Sequence, residues 1–232
     1  MLTLPIREVI PATPRARILR LDLNGQPFDY LAGQAVLVGA PGAEKRRPYS
    51  IAASPEDAQR DGYLELLVGV DADGRVGPHL LLETGAVVDV EGPSGTFTFP
   101  DAPVERNFVF VAGGTGIAPL RAMLRHAILG PQRTRHVGLL YSARTPDEFA
   151  FADEFRALAS SGMIHFRQTI TRETGQDWSG ARGRIDRQAL SELVYESDTL
   201  CFICGPMAMV DDMPKLLTEI GVSKERIRIE EW

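Results

Sequence analysis

The stretch VAGGTGIAP, residues 111–119, decides the fold of this chain. It follows the apolar run 108–111, which predicts a buried strand, and it precedes residues 120–129, whose apolar side chains recur at helical spacing. Its glycines leave backbone N–H groups accessible, because a glycine has no Cβ to block a close approach. A glycine-rich turn between a strand and a helix is typical of a phosphate-binding site.

The second half of the chain repeats this alternation of strands and helices. Pro206 suits the first position of a helix, and Pro214 should kink or divide that same helix. The alternation predicts a Rossmann-like α/β fold with a five-stranded parallel sheet. Its strands are expected at residues 108–111, 137–141, 164–169, 200–203 and 227–229.

The first half of the chain is rich in short apolar runs separated by turn residues, which predicts a β-sandwich or a small barrel. The one helix expected there is a brief one near residues 79–82. Pro100 and Pro103 suit a linker, so we expect two domains, residues 1–102 and 103–232. The strands of the first are expected at residues 17–23, 35–38, 49–51, 63–68 and 87–90.

Composition excludes several classes of protein. The net charge of −6 and the absence of a basic run argue against nucleic acid as the main partner. No apolar run is long enough to span a membrane, and the first residues lack a secretory pattern, so a cytoplasmic location is expected. Cys201 and Cys204 are too few for a four-thiolate iron–sulfur cluster or zinc site, and the four scattered histidines indicate no metal site.

Two further clusters carry chemistry. In Arg47-Pro48-Tyr49-Ser50, the guanidinium suits a phosphate, the aromatic ring suits a flat ligand and the hydroxyl suits its edge. By itself, an exposed strand end is the favoured interpretation of that cluster. Cys204-Gly205-Pro206 ends a predicted parallel strand, where ligands of such sheets bind. The spacing from Cys201 to Cys204 puts their side chains on opposite faces, so Cys201 is expected to be a buried apolar residue.

In this order, the cluster 47–50, the turn GGTGIAP and the cluster 204–206 resemble the ferredoxin–NADP⁺ reductase family. Residues 32–34, AGQ, and residues 92–97, GPSGTF, are weaker matches to the same family. The resemblance spans nearly the whole chain. It implies a six-stranded antiparallel Greek-key β-barrel that binds flavin, followed by a Rossmann-like domain that binds NADPH or NADH.

On the flavin side, the resemblance assigns roles to the first cluster. Tyr49 would lie against the flavin ring, and Ser50 would form a hydrogen bond near its N5 atom. Arg47, next to Pro48, would pair with the flavin phosphate. Trp232 either stacks on the flavin or is a frayed terminal residue without a role.

The run Gly74-Arg75-Val76-Gly77 departs from the family pattern. Relatives often have G-x-x-S or G-x-x-T here, where a helix N-terminus meets the FAD pyrophosphate, and this chain has Gly77 in place of the hydroxyl residue. Backbone N–H groups of Gly74, Val76 and Gly77 are expected to hold the phosphate with one hydrogen bond missing. FAD is the expected cofactor, and FMN is the alternative.

On the pyridine-nucleotide side, Cys204 would line the nicotinamide site close to the reacting carbon. Glu230 is either a polar neighbour of Cys204 or a solvated strand residue, and with Ser50 these two form the expected catalytic set. The residues expected to contact this nucleotide are Gly114, Thr115, Gly116, Cys204, Gly205 and Pro206.

The choice between NADPH and NADH depends on three residues. Thr171-Arg172 resembles the pair that contacts the adenosine 2′-phosphate in NADPH users, and Arg144 follows the preceding strand. Arg172 beside Glu173 is equally well explained as a surface ion pair. NADPH is the favoured donor, and NADH is the alternative.

The resemblance implies a flavin-dependent NAD(P)H oxidoreductase. It would pass hydride from NAD(P)H to FAD and single electrons onward to a separate redox protein, a ferredoxin or an oxygenase component. One alternative is a flavin or ferric reductase with a small-molecule acceptor. Another is a flavin-binding electron-transfer subunit of a larger enzyme. Nothing in the sequence indicates the oligomeric state.

Overall fold

The structure, a computed structural model, describes residues 1–77, 79–130, 136–172 and 178–231. Within them, the first half of the chain forms a six-stranded antiparallel sheet and the second half a six-stranded parallel sheet flanked by helices. The expected fold class is therefore confirmed. None of the helices in these residues has both the length and the apolar character to cross a membrane.

The antiparallel sheet closes into a barrel. Its strands follow the spatial order β4-β3-β6-β1-β2-β5, and an antiparallel bridge between Ile51 and Leu66 joins the two edges. Alternating side chains such as Leu4 and Ile6 fill the interior. The strands are β1 (Leu2–Thr13), β2 (Ala16–Asp22), β3 (Ala35–Gly39), β4 (Arg47–Ser50), β5 (Tyr63–Gly69) and β6 (Val87–Ser94).

Two parts of the barrel half differ from expectation. Strand β1 was not predicted, because Pro5 and Pro11 interrupt its pattern, although Leu4 and Ile6 alternate inward. The helix expected near residues 79–82 is wrong: the His79 carbonyl accepts a hydrogen bond from Ala40 N–H at 2.8 Å and so joins the barrel.

The helix of this half is instead α1 (Pro55–Asp61). The Ser54 side chain caps its first turn by accepting from Asp57 N–H, and Pro55 occupies the first helical position. Gly62, with φ of 74°, ends it in the left-handed conformation. These local signals were present in the sequence, but a seven-residue helix is too short to show an apolar stripe.

The parallel sheet has the order β10-β9-β8-β7-β11-β12. A two-residue edge strand, β10, adds to the five expected strands, and α5 continues through Pro214 without dividing. The strands are β7 (Asn107–Gly113), β8 (His136–Ala143), β9 (His165–Ile170), β10 (Ala181–Arg182), β11 (Leu200–Gly205) and β12 (Ile227–Glu231). The helices are α2 (Ile117–Leu129), α3 (Ala152–Ser160), α4 (Arg187–Ser191) and α5 (Met207–Glu219).

The order of strands reverses between β7 and β11, which are neighbours in the sheet although β8, β9 and β10 separate them in the chain. Connections leave such a pair in opposite directions, and the gap outside their carboxyl ends is where ligands of open α/β sheets bind. Gly113 ends β7, and Gly205 ends β11. The switch point therefore lies at the glycine turn and at the cluster 204–206.

Aromatic packing joins the barrel to the parallel sheet. The Phe99 ring centroid lies 4.8 Å from that of Phe108 and 5.7 Å from that of Phe202. Gly33 allows helix α2 to approach, because a Cβ there would lie 2.3 Å from Cε of Met123. One continuous apolar core therefore runs through both halves.

Ion pairs reinforce this junction. Arg125 on α2 forms two hydrogen bonds to the buried carboxylate of Asp57 on α1 and one to Glu154 on α3. Burial favours the neutral form of Asp57, but the hydrogen bonds and charge of Arg125 outweigh it and lower the pKa of this carboxyl group. The same contact raises the pKa of Arg125.

Replacing Arg125 by Ala is expected to lower the free energy of unfolding by about 3 kcal/mol, because Asp57 stays buried without its main partner. Urea denaturation at pH 7 measures the loss. Arg60→Ala is the matched control, since Arg60 contacts the same carboxylate from an exposed position and its removal should cost less than about 1 kcal/mol.

The stability lost in Arg125→Ala should be smaller at acidic pH than at pH 7. The pKa of Asp57 is lower in the folded than in the unfolded protein, so the pair stabilises above the unfolded value and the benefit is lost on acidification. The difference between wild type and Arg125→Ala should therefore shrink below about pH 4. A difference that is as large at pH 3 as at pH 7 would contradict this role of the pair.

Candidate functional site

A cavity of about 1010 Å³ lies between the barrel and the parallel sheet. One wall comes from the segment after β5, with Val76 and Gly77, and the opposite wall comes from the turn after β7, with Gly114 and Thr115. Cavities that hold drug-sized ligands and cofactors have volumes of roughly 300–1,000 Å³. This one is large enough for a ligand of nucleotide size, and it includes the switch point of the sheet.

Two helix N-termini open into this cavity without a side-chain cap. Helix α2 follows the turn Gly114–Gly116, helix α5 follows Pro206, and neither has a side-chain cap hydrogen bond. Helices α1 and α4, in contrast, are capped by Ser54 and Asp186. Uncapped N–H groups and the positive end of the helix dipole favour a bound anion such as a phosphate.

Gly116 and Gly114 are required in the turn for different physical reasons, lack of space and backbone conformation. A Cβ on Gly116 would lie 2.4 Å from the carbonyl oxygen of Cys204, so this position allows the turn to contact β11. Gly114 has nothing within 4 Å of its Cβ position, but its φ of +56° favours glycine. Buried Tyr141 holds the turn by donating a hydrogen bond to the carbonyl of Gly114 at 3.0 Å.

The two cysteines lie on opposite faces of β11, as the spacing predicts. Cys201 packs in the apolar cluster on the α5 side of the sheet, and burial raises the pKa of its thiol to about 12. Cys204 is 0% exposed and packs with Phe202 on the barrel side. Burial, with a smaller contribution from the charge of Glu230, raises the pKa of Cys204, so its thiol is neutral at pH 7. Glu230 is the register partner of Cys204 on β12.

The cluster on β4 contains a polar atom that lacks a partner. Ser50 is 2% exposed, and its Oγ has no hydrogen-bond partner among the described residues. A buried hydroxyl without a partner costs about 1–3 kcal/mol, so such an atom is a candidate ligand contact. The Tyr49 hydroxyl lies 2.7 Å from Nε2 of His79, and burial raises the pKa of this tyrosine.

The structure brings only part of the expected site directly to the cavity. The expected residues that line it are Val76, Gly77, Gly114, Thr115, Arg144, Thr171 and Pro206. The expected residues outside its lining are Arg47, Pro48, Tyr49, Ser50, Gly74, Gly116, Arg172, Cys204, Gly205 and Glu230. Trp232 lies outside the described residues.

The three residues expected to select the nucleotide are neighbours. Thr171 N–H donates to the carbonyl of Ala143, and Arg172 N–H donates to the carbonyl of Arg144, both at 2.9 Å. Arg144 and Thr171 line the cavity, whereas Arg172 does not. The sequence made Arg144 and Arg172 equal candidates for the 2′-phosphate, but only Arg144 lines the cavity.

Sequence reasoning missed four cationic residues of the cavity, Arg15, Arg75, Arg184 and Lys215. Arg75 lies inside the run 74–77, where the expectation rested on backbone groups alone. Arg15 lies in the β1–β2 turn and Arg184 follows β10, and no pattern marked either residue. Their charges reach the cavity only through folding.

Gly116→Ala is expected to lower the free energy of unfolding by about 3 kcal/mol, because the new Cβ meets the backbone of β11. Gly114→Ala is the matched control and should cost about 1 kcal/mol, since it adds only backbone strain. Chemical denaturation of both variants measures the losses. Equal losses, or a larger one for Gly114→Ala, would contradict the contact between turn and strand.

Comparison with known proteins agrees with this geometry. Residues 3–99 match a family model described as an oxidoreductase FAD-binding domain, and residues 110–215 match one described as an oxidoreductase NAD-binding domain. Together the two matches include both walls of the cavity. The chain therefore binds FAD and NAD(P)H.

Similar proteins cover almost the whole chain. It is 35% identical to ferredoxin–NADP reductase B of Sorangium cellulosum, over 97% of this chain and 94% of that protein. A solved cytochrome P450 reductase of Amycolatopsis is 30% identical with a TM-score of 0.81, over 99% of this chain and 68% of that one. A solved ferredoxin reductase in carbazole 1,9a-dioxygenase is 25% identical with a TM-score of 0.82, over the same shares. The chain belongs to the ferredoxin–NADP⁺ reductase-like family of FAD- and NAD(P)H-binding oxidoreductases.

Proposed function

We propose that this protein takes electrons from NADPH through FAD and delivers them to a separate redox protein, a ferredoxin or an oxygenase component. One observation carries the proposal: the barrel segment expected to bind FAD and the glycine turn expected to bind the pyridine nucleotide face the same cavity. Two nucleotides held in one cavity can bring their rings together. The uncapped N-termini of α2 and α5 favour the phosphate charge of such ligands.

Bound FAD supplies the redox chemistry, because a flavin accepts a hydride and can release its two electrons singly. The chain supplies position and environment. Ser50 offers a buried hydroxyl that has no partner among the described residues, and Tyr49 offers a ring whose hydroxyl is held by His79. These properties fit a flat ligand that has polar atoms at its edge.

Ser50, Cys204 and Glu230 stay the proposed catalytic set. The backbone carbonyl of Cys204 packs against Gly116, and its thiol is buried in the apolar core and neutral. It suits a role in shaping the nicotinamide site rather than one as a nucleophile, because a nucleophile requires the thiolate. Glu230, opposite Cys204 in the sheet, helps to keep that thiol protonated.

The acceptor is proposed from two kinds of support. The chain aligns over most of a ferredoxin–NADP reductase, and two solved relatives are reductases named with a cytochrome P450 or with a dioxygenase. A protein acceptor is therefore favoured over free flavin or a ferric chelate.

The division into domains 1–102 and 103–232 and a cytoplasmic location also stay predictions.

NADPH is the proposed donor because Arg144, which directly follows β8, lines the cavity. Thr171 lines the cavity next to it, and Arg184 is a further lining residue that pairs with Asp212. A guanidinium binds phosphate through two parallel hydrogen bonds, which an unphosphorylated ribose does not offer. Arg144 is the best-placed of the expected residues for the 2′-phosphate, and Arg172 is a secondary candidate.

Arg144→Ala is expected to lower kcat/KM for NADPH by about 10- to 100-fold, the cost of a charged hydrogen bond, with less than about threefold change for NADH. Steady-state reduction of ferricyanide with each donor measures both values. Arg172→Ala is the comparison variant and should lower kcat/KM for NADPH less than Arg144→Ala does, because its side chain lies outside the cavity lining. Equal losses with NADH and NADPH would contradict the assignment of Arg144.

The acceptor is tested with purified protein that has retained FAD. Adding a ferredoxin should increase NADPH-driven reduction of cytochrome c by about tenfold or more, because the ferredoxin carries single electrons from one protein to the other. Turnover that rises with free flavin or a ferric chelate, and not with ferredoxin, would favour a small-molecule acceptor. A colourless protein that takes up neither FAD nor FMN would contradict the whole proposal.

A further inference from the structure

The ring of His79 lies between Tyr49 of the β4 cluster and Gly77, a residue of the cavity lining. Its Nε2 lies 2.7 Å from the Tyr49 hydroxyl, and the two rings are nearly parallel, with an angle of 11° between their planes. Its other nitrogen, Nδ1, is buried and has no hydrogen-bond partner among the described residues. The residue as a whole is only 9% exposed. One ring nitrogen is therefore satisfied by the protein, and the other is available to a ligand.

The Nδ1 atom of His79 lies beside Gly77, which has no side chain. A Cβ built on Gly77 would lie 3.6 Å from Nδ1 of His79. Gly77 has a φ of +92°, which side chains rarely adopt, and it lines the cavity together with Val76 and Arg75. In the family pattern this is the position of the hydroxyl residue, so a polar atom of His79 lies next to the position where that residue would start.

The neutral ring carries one proton, and Nδ1 is a donor in the tautomer in which Nε2 accepts from Tyr49. Burial, with a smaller contribution from the charge of Arg47, lowers the pKa of His79, so the ring is neutral at pH 7. The Tyr49 hydroxyl keeps its proton, because burial raises the pKa of this group. With Tyr49 donating to Nε2, the single ring proton is carried by Nδ1.

We propose that the Nδ1–H group of His79 donates a hydrogen bond to a phosphate oxygen of FAD and so replaces the hydroxyl that Gly77 lacks. The proposal rests on FAD binding in this cavity. It also explains the alignment of Tyr49 and His79, because the hydrogen bond between them orients the ring with Nδ1 beside Gly77. One histidine thus serves both the phosphate and the ring that faces the flavin.

Two variants separate the phosphate contact from the support of Tyr49. His79→Asn places an amide N–H near the position of Nδ1 and loses the atom that contacts Tyr49. His79→Gln places its amide near the position of Nε2 and loses the donor at Nδ1. His165→Asn is the matched control, because His165 begins β9 at the end of the sheet opposite to the cavity.

The experiment titrates full-length apoprotein with FAD and with riboflavin, which has no phosphate, and follows the quenching of flavin fluorescence. His79→Gln should weaken FAD binding by about tenfold and riboflavin binding by less than about threefold, since only FAD offers a phosphate oxygen. His79→Asn should bind FAD within about threefold of the wild type, and His165→Asn should match the wild type with both flavins. Circular dichroism confirms that each variant is folded.

Equal losses for FAD and riboflavin in His79→Gln would overturn the proposal, because the effect would then act through the flavin ring and Tyr49. Unchanged FAD affinity would overturn it as well. Should this variant not fold, nitrogen NMR of the wild type decides: FAD must shift the Nδ1 signal of His79, and riboflavin must not. Failure of the wild type to bind FAD would instead contradict the cofactor assignment on which the proposal rests.

Discussion

The cavity depends on the guanidinium of Arg121. This side chain is only 11% exposed, and it donates to the carbonyl of Ala52 at 2.7 Å and to the carboxylates of Glu65 and Glu154 at 2.8 Å each. Ala52 and Glu65 belong to the barrel half, whereas Arg121 lies in the first turns of α2, directly after the glycine turn. A buried guanidinium without these partners would strongly destabilise the protein. The contacts of Arg121 therefore fix the distance between the glycine turn and the barrel.

With this distance set, some groups that lack partners among the described residues lie at the cavity, and others lie in and beside the β4 cluster, outside the cavity lining. The N-termini of α2 and α5 have no side-chain caps, and Oγ of Ser50 and Nδ1 of His79 have no hydrogen bonds among the described residues. Each such group lowers the stability of the unliganded protein. Ser54 and Asp186 cap α1 and α4, whereas α3 also lacks a side-chain cap. The uncapped N-termini of α2 and α5 are the unsatisfied groups at the cavity itself, and they favour a bound anion.

Most elements set by local sequence patterns were predicted, and those set by contacts between distant segments were not. Five of the six parallel strands, and α2, were predicted to within three residues at each end, because apolar periodicity is a local property of the sequence. Strand β1 was missed because two prolines interrupt its alternating pattern. Its pairing with β2 and β6 depends on contacts between distant parts of the chain. The helix expected at residues 79–82 failed for a similar reason: a hydrogen bond to Ala40 holds His79 in the barrel. Arg15 and Arg184 had no local signal at all.

The sequence by itself determined the two-part architecture, the glycine turn after β7 and the family, because periodicity, turn residues and motif order are written along the chain. Only the tertiary structure decided which candidates reach the cavity. Arg144 lines it and Arg172 does not, although their backbones are hydrogen-bonded neighbours. The backbone carbonyl of Cys204 packs against Gly116. His79, which the sequence placed in a helix, contacts Tyr49 through Nε2 and lies beside Gly77 through Nδ1. These distances arise from packing between segments far apart in the chain, and no local pattern encodes them.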